Sequence, residues 1–459
     1  MAAHGGGATA TRGGGSGEPL ALDPRRYLTL PGLSKGLPPT ALEPLDHAAV
    51  AAARWPVLDD ALPYPLAVLK ASALAHNSRW MNAFLARFDV CLAPHGKTTM
   101  SPALFQRQLA DGAWGITAAT VQQAAVMFAF GVSRVLIANQ LAGTAAQRWA
   151  FEILAARPDV ELIAIVDSAD GIAELDRVGR QANAAAAAAG TTPRPLPLMV
   201  ELGTAGGRTG ARSVAAGVEL ARAVAASPVL KLVGVEGYEA VLPAPTPAQK
   251  EAGIRGFVAD LGELAARCAA ADLFADPTVL LSAGGSAYFD LITALPRTLA
   301  GRPTRIVLRS GCYLTHDEGD YQRLWSRLAA RTPGIESLGE ELRPALEVWS
   351  VVQSVPEPGL ALLTMGKRDV SYDQELPMPR WHVRGHGTAL VRGAAPASWR
   401  IAALNDQHAF LRGDPDAMPR VGDRVGCAIA HPCTTFDKWR VLLLVDDDYR
   451  TVDAVTTWF

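Results

Sequence analysis

The sequence predicts an α/β fold: a (β/α)8 TIM-type barrel followed by a second, β-rich C-terminal domain. Three observations predict it. Apolar runs alternate with helix-like stretches from about residue 65 to 311. Most of those runs are continuous rather than alternating, as strands covered on both faces of a parallel sheet must be. After about residue 340 only short β-type runs remain, separated by Gly, Pro and Asp turns.

The strand candidates in order are 65–70, 90–97, 114–119, 134–139, 161–167, 196–203, 230–238, 278–285 and 305–311, one more than a barrel needs. If the first runs outside the barrel, VCLAPHGK (90–97) opens it, and TVLLSAGG (278–285) and RIVLRSG (305–311) are its seventh and eighth strands. Helix formers fill Thr120–Phe130 and Ser213–Ala226, each opened by a hydroxyl residue suited to cap it. The run Ala184–Ala189 before Gly-Thr-Thr-Pro reads as a helix end and loop. The expected organisation is a flexible Gly/Ala-rich tail over 1–25 and a segment at 26–64 that packs on the β domain. The barrel follows at 65–335 and the β-rich domain at 340–459, and no internal repeat is present.

Composition narrows the function classes. The chain has 459 residues, 49% of them apolar and 19% charged, enough for two domains with a substantial core. A net charge of -2 without basic blocks gives nucleic-acid binding no electrostatic support. No apolar run is long enough to span a membrane, and the first 18 residues lack the apolar core of a signal peptide. Five scattered cysteines, with no CxxC pair, fit a reducing cytoplasm rather than a disulfide framework.

The chemistry centres on Pro94-His95-Gly96-Lys97-Thr98, which follows the first barrel strand. A lysine there lies at the catalytic mouth, and a lysine amine forms Schiff bases with aldehyde cofactors. A lysine alone in a loop is ordinarily a solvated one. Its company points further. The loops after strands seven and eight carry Gly284-Gly285-Ser286 and Gly311-Cys312-Tyr313, where barrels often bind phosphate. Adjacent glycines let backbone N–H groups approach an anion, and Ser286 could cap the following helix. In the second domain His431-Pro432-Cys433 places an imidazole and a thiol on one side of an extended segment, a pairing that suits zinc. Two ligands are fewer than the three of most catalytic zinc sites, so a buried thiol beside a polar histidine is the competing reading.

Taken in order, PHGKT, Gly206-Gly207-Arg208-Thr209-Gly210, Gly237-Tyr238-Glu239, SAGGS, RSGCY, Gly366-Lys367-Arg368-Asp369 and Gln407-His408 resemble the D-serine dehydratase and D-threonine aldolase branch of the alanine-racemase-like enzymes, over roughly residues 65–440. That resemblance implies a pyridoxal-phosphate barrel plus β domain, paired as a homodimer. It implies that Lys97 is the Schiff-base lysine and that Gly284, Gly285, Ser286, Gly311 and Tyr313 surround the phosphate. Arg208 and Tyr238 would lie near the cofactor ring, with an ion-pair role for Arg208 and a wall role for Tyr238 as the alternatives. In the dehydratases of this branch a His-x-Cys pair binds zinc, so His431 and Cys433 would hold Zn2+, with His408 a possible further neighbour. The aldolases place Asp where Cys433 stands. This chain departs from the family in the stretch Lys97-Thr98-Thr99-Met100, where these enzymes often have a histidine and a second basic residue. The implied reaction is zinc-assisted removal of the β-hydroxyl of D-serine or a related D-3-hydroxy amino acid, giving a 2-oxo acid and ammonia. The alternatives are a D-threonine-type aldolase, a racemase, a non-catalytic pyridoxal-phosphate-binding protein and a barrel hydrolase without the cofactor.

Overall fold

Burial follows the continuous apolar runs. A computed structural model describes residues 29–242, 244–285 and 288–459; the tail read over 1–25 and Ser286 lie outside the described residues. The first strand, β1 (Leu66–Lys70), is followed by β2 (Cys91–Leu92), β3 (Ile116–Ala118), β4 (Arg134–Gln140), β5 (Glu161–Val166), β6 (Leu196–Leu202), β7 (Leu230–Gly237), β8 (Val279–Ala283), a two-residue strand β9 (Thr298–Leu299) and β10 (Arg302–Leu308). Every position of β6 and β8 is buried. Strands β2 to β8 and β10 are hydrogen-bonded in parallel in the order β2-β10-β8-β7-β6-β5-β4-β3. The two ends of that order meet, because Trp114 N–H donates to the Leu92 carbonyl at 2.7 Å and Thr117 N–H to the Pro94 carbonyl at 2.9 Å. The eight strands therefore close a barrel.

Leu136, Ile163, Ile165, Met199, Val233 and Leu280 fill its interior as a separate apolar cluster, which is how barrels of this size plug their axis. Helices cover the outside. Thr120 and Ser213 cap them as the sequence indicates, accepting from Gln123 N–H at 3.2 Å and Ala216 N–H at 3.1 Å. The alanine run ends its helix at Ala188.

The second sheet contains β11 (Leu346–Glu357), β12 (Leu360–Leu363), β13 (Met378–Arg384), β14 (Val391–Ala394), β15 (Arg400–Leu404), β16 (Ala409–Arg412), β17 (Arg424–Ala428), β18 (Val441–Val445) and β19 (Thr451–Thr456). Its main order is β14-β13-β17-β11-β1-β18-β19, with β12, β16 and β15 branching from β11. β1, on the barrel side of the boundary read from sequence, pairs here, antiparallel to β11 and parallel to β18. Its alternation explains the placement. Ala67 and Leu69 enter the large core shared with the barrel helices, while Leu66 and Val68 enter a second core. That second core also takes Leu30, Leu37, Val50, Val57 and Leu62, so residues from 30 to 62 lie on the face of this sheet. No helix among the described residues is long and apolar enough to cross a membrane.

Candidate active site

The loops at the C-terminal ends of the barrel strands and one edge of the second domain enclose a cavity of about 710 Å³. Lys97 enters it from a single 3-10 turn, Gly96–Thr98, directly after β2. The turn is tightly seated: a Cβ on Gly96 would meet Met127, Ile116 and Phe105 within 3.0 Å. Among the described residues the Lys97 ammonium makes no hydrogen bond or ion pair. Its neighbour His95 lines the same cavity, and burial, with the nearby cations Lys97 and Arg309, holds its imidazole well below the usual range and neutral.

Beside the lysine turn lie the two glycine loops, at the ends of the next two strands of the barrel. Gly285 and Gly311 line the cavity, and among the described residues their N–H groups donate to no protein acceptor. A Cβ on Gly285 would press on the Tyr238 ring at 3.1 Å; on Gly311 it would strike the His95 carbonyl at 2.5 Å and Thr98 Oγ1 at 2.7 Å. Only glycine lets the end of β10 lie against the lysine turn. Gly284, with φ +77°, makes the bend and donates to buried Glu239 at 3.0 Å, so it shapes the loop without facing the cavity. A bare backbone and an ammonium in one cavity, both without partners among the described residues, fit a phosphorylated aldehyde.

Tyr238 and Arg208 both reach the cavity, with the guanidinium 5.4 Å from the ring centroid. This cation–π stacking leaves the edge of the guanidinium open to an acceptor. Burial raises the Tyr238 hydroxyl to about 12, so it stays protonated. The Tyr313 side chain lies outside the cavity. Its side chain is 2% exposed, packs in the core and hydrogen-bonds Gln108, away from the cavity. The residue after Cys312 turns its side chain toward the helix Pro102–Ala110 rather than into the cavity.

Sequence reasoning missed a buried ion pair at the cavity floor. Arg309 and Glu236, 3% and 1% exposed, are in direct contact, and Arg309 also donates to the Gly237 carbonyl at 2.8 Å. Burial raises Glu236 to about 7 against the opposing pull of Arg309. Its Oε1 is buried with no partner. The signal was present: each charge stands at the C-terminal end of an apolar strand.

At the domain junction the His431–Cys433 pair also faces the cavity, but not as an extended segment. His431 precedes the short helix Pro432–Phe436, and Cys433 lies within its first turn. Asp373 holds His431 Nδ1 at 2.6 Å. A hydrogen bond to Cys433 raises the imidazole to about 9, and Asp373 adds to the rise. A second thiol was not anticipated. Cys312 Sγ lies 3.6 Å from Cys433 Sγ, and Thr98 Oγ1 is 3.4 Å from Cys433. The sulfur pair shares a proton, which holds Cys433 well below and Cys312 well above the usual thiol range. Among the described residues no group of three or more His, Cys, Asp or Glu is arranged as a ready metal cage. The imidazole–thiol pair nonetheless offers two donors of the kind zinc takes, with a carboxylate fixing the histidine tautomer. His408 lies exposed in the turn between β15 and β16 and does not join them.

Residues 345–445 match the family model described as a putative serine dehydratase domain. A D-threonine aldolase of Arthrobacter sp is 25% identical over 386 residues, covering 83% of this chain and 89% of the relative. The structure of D-threonine aldolase from Filomicrobium marinum superposes with a TM-score of 0.66 at 22% identity, covering 86% of this chain and 95% of that one. D-threo-3-hydroxyaspartate dehydratase from Delftia sp. HT23 follows at 0.61 and 20%, covering 87% and 98%. Alanine racemase from Clostridium difficile 630 shares the fold at 0.54 and 12%, covering 86% and 99%. The chain has the fold of the alanine-racemase-like proteins and is similar in sequence to D-threonine aldolase and 3-hydroxy-D-aspartate aldolase. The match to the putative serine dehydratase model covers the segment that carries Asp373, His431 and Cys433.

Proposed function

We propose that this protein is a pyridoxal-phosphate-dependent lyase that removes the β-hydroxyl of D-serine or a related D-3-hydroxy amino acid, releasing a 2-oxo acid and ammonia. One observation supports the reading: a lysine ammonium and the N–H groups of two glycine loops, none with a partner among the described residues, line one cavity. Pyridoxal phosphate, held by Lys97 and by the Gly285 and Gly311 backbone, would supply the electron sink that makes the substrate Cα–H acidic. Lys97 Nζ is then the base that takes the Cα proton. Arg208 and Tyr238 wall the ring and orient it. Zinc, held by His431 and Cys433, would supply Lewis-acid pull on the departing β-oxygen. Asp373 keeps the His431 ring turned toward that task.

The same scaffold supports an aldolase, which the 25% identity to D-threonine aldolase favours; Cys433 in place of a carboxylate favours the dehydratase. The reading includes a homodimer in the cytoplasm with a small D-amino acid as partner. The test is direct. Reconstituted protein should absorb in the visible and, after borohydride, carry a B6 adduct on residue 97. Lys97→Ala should lose the adduct and at least 1,000-fold of turnover, on the order of one essential catalytic group. A 2-oxo acid plus ammonia marks the dehydratase and glycine plus an aldehyde the aldolase. Reconstituted protein with no adduct on Lys97 would end the proposal.

A further inference from the structure

The two thiols at the domain junction have a chemistry of their own. Cys312 follows barrel strand β10, Cys433 belongs to the second domain, and they are 121 residues apart with their sulfurs 3.6 Å from each other. Both are partly exposed and line the cavity, so a small solute reaches them. The other cysteines differ: Cys268 and Cys427 are buried, and Cys91 has no thiol beside it among the described residues. A disulfide needs about 2.0 Å between sulfurs. Starting from 3.6 Å, that is a closure of roughly 1.6 Å, within the reach of side-chain rotation on a loop and a short helix.

We propose that Cys312 and Cys433 are a reversible redox pair, oxidised to a disulfide by a hydroperoxide that enters the cavity. One thiol attacks the peroxide O–O bond, becoming a sulfenic acid as one water leaves. The second thiol displaces the sulfenic hydroxyl as another water, forming the S–S bond. With hydrogen peroxide, two thiols lose two electrons and two protons, and the peroxide becomes two waters. A dithiol reverses the bond by exchange. The bond would staple the barrel to the second domain beside Lys97, since Thr98 Oγ1 touches both sulfurs, at 3.4 Å and 3.9 Å. It would also withdraw Cys433 from the reaction, a consequence that rests on the proposed function; the bond itself does not.

The test uses the full chain, reduced, freed of reductant and titrated with hydrogen peroxide. Thiols are then counted in denaturant and peptides mapped without reduction. Two of the five thiols should disappear, a peptide joining residues 312 and 433 should appear, and dithiothreitol should restore both thiols. Cys312→Ser should give no cross-link and leave Cys433 singly oxidised. Absence of the linked peptide, with the cavity thiols unreacted or carried to sulfinic acid, overturns the proposal. A linked peptide with unchanged turnover of D-amino acids upholds the redox pair and instead overturns the role of Cys433 in the reaction.

Discussion

His316 shows how a single buried group couples the stability of the fold to acidity. It follows the glycine loop after β10, is 2% exposed and has φ +48°. Its Nδ1 is buried without a partner, and burial lowers its imidazole from 6.5 to about 4. The unfolded chain therefore binds a proton near neutrality that the fold refuses. Stability from this residue is complete above 6.5 and is lost as pH falls toward 4. At about 1.4 kcal/mol per unit, the loss is roughly 3 kcal/mol. Urea midpoints measured across that range should fall, and His316→Asn, which tolerates the left-handed backbone, should flatten the fall. An equally steep slope in the variant would assign the acid sensitivity to other groups, His95 first.

Residues of this kind mark the limit of what sequence makes legible. Lys97, Arg208, Tyr238, Gly285, Gly311, His431 and Cys433 all face the cavity, because strand ends and motif spacing place them. Tyr313 and Cys312 are adjacent in sequence yet face opposite sides of the wall, and nothing in the string RSGCY says which one turns inward. The Arg309–Glu236 pair links β7 to the end of β10 past the intervening β8, a neighbourhood that only the closed sheet creates.

Among the elements, β1 governs the most. It lies between β11 and β18 and sends alternate side chains into two cores. Leu69→Ala, at a site with no exposure, should cost about 2–5 kcal/mol. If β1 couples the domains, fluorescence from Trp114 in the barrel and from Trp349 in β11 should shift together along the denaturant axis; separate transitions would show that the cores melt independently. Sequence identified this strand but not its sheet, because an apolar run buried on both faces reads alike in a barrel and at the centre of a mixed sheet. Only its pairing with residues far later in the chain, at 346–349 and 443–445, decides.

For the whole molecule, the junction between the domains is both the site and a source of stability. Zinc bound by His431 and Cys433 should raise the unfolding midpoint by mass action, about 2.7 kcal/mol at a hundredfold excess over Kd. Calorimetry with and without chelator measures this, and His431→Ala should abolish the difference. A zinc shift that survives the variant would place the ion elsewhere.

The central position of β1 also bears on how the protein is made. Residues 66–70 leave the ribosome well before one of their partners, 441–445. The barrel is complete before that partner exists, so a nascent chain passes through a stage in which one flank of an apolar strand has no neighbour. Chaperone dependence during translation, and clearance of prematurely terminated chains, should both follow from that waiting edge.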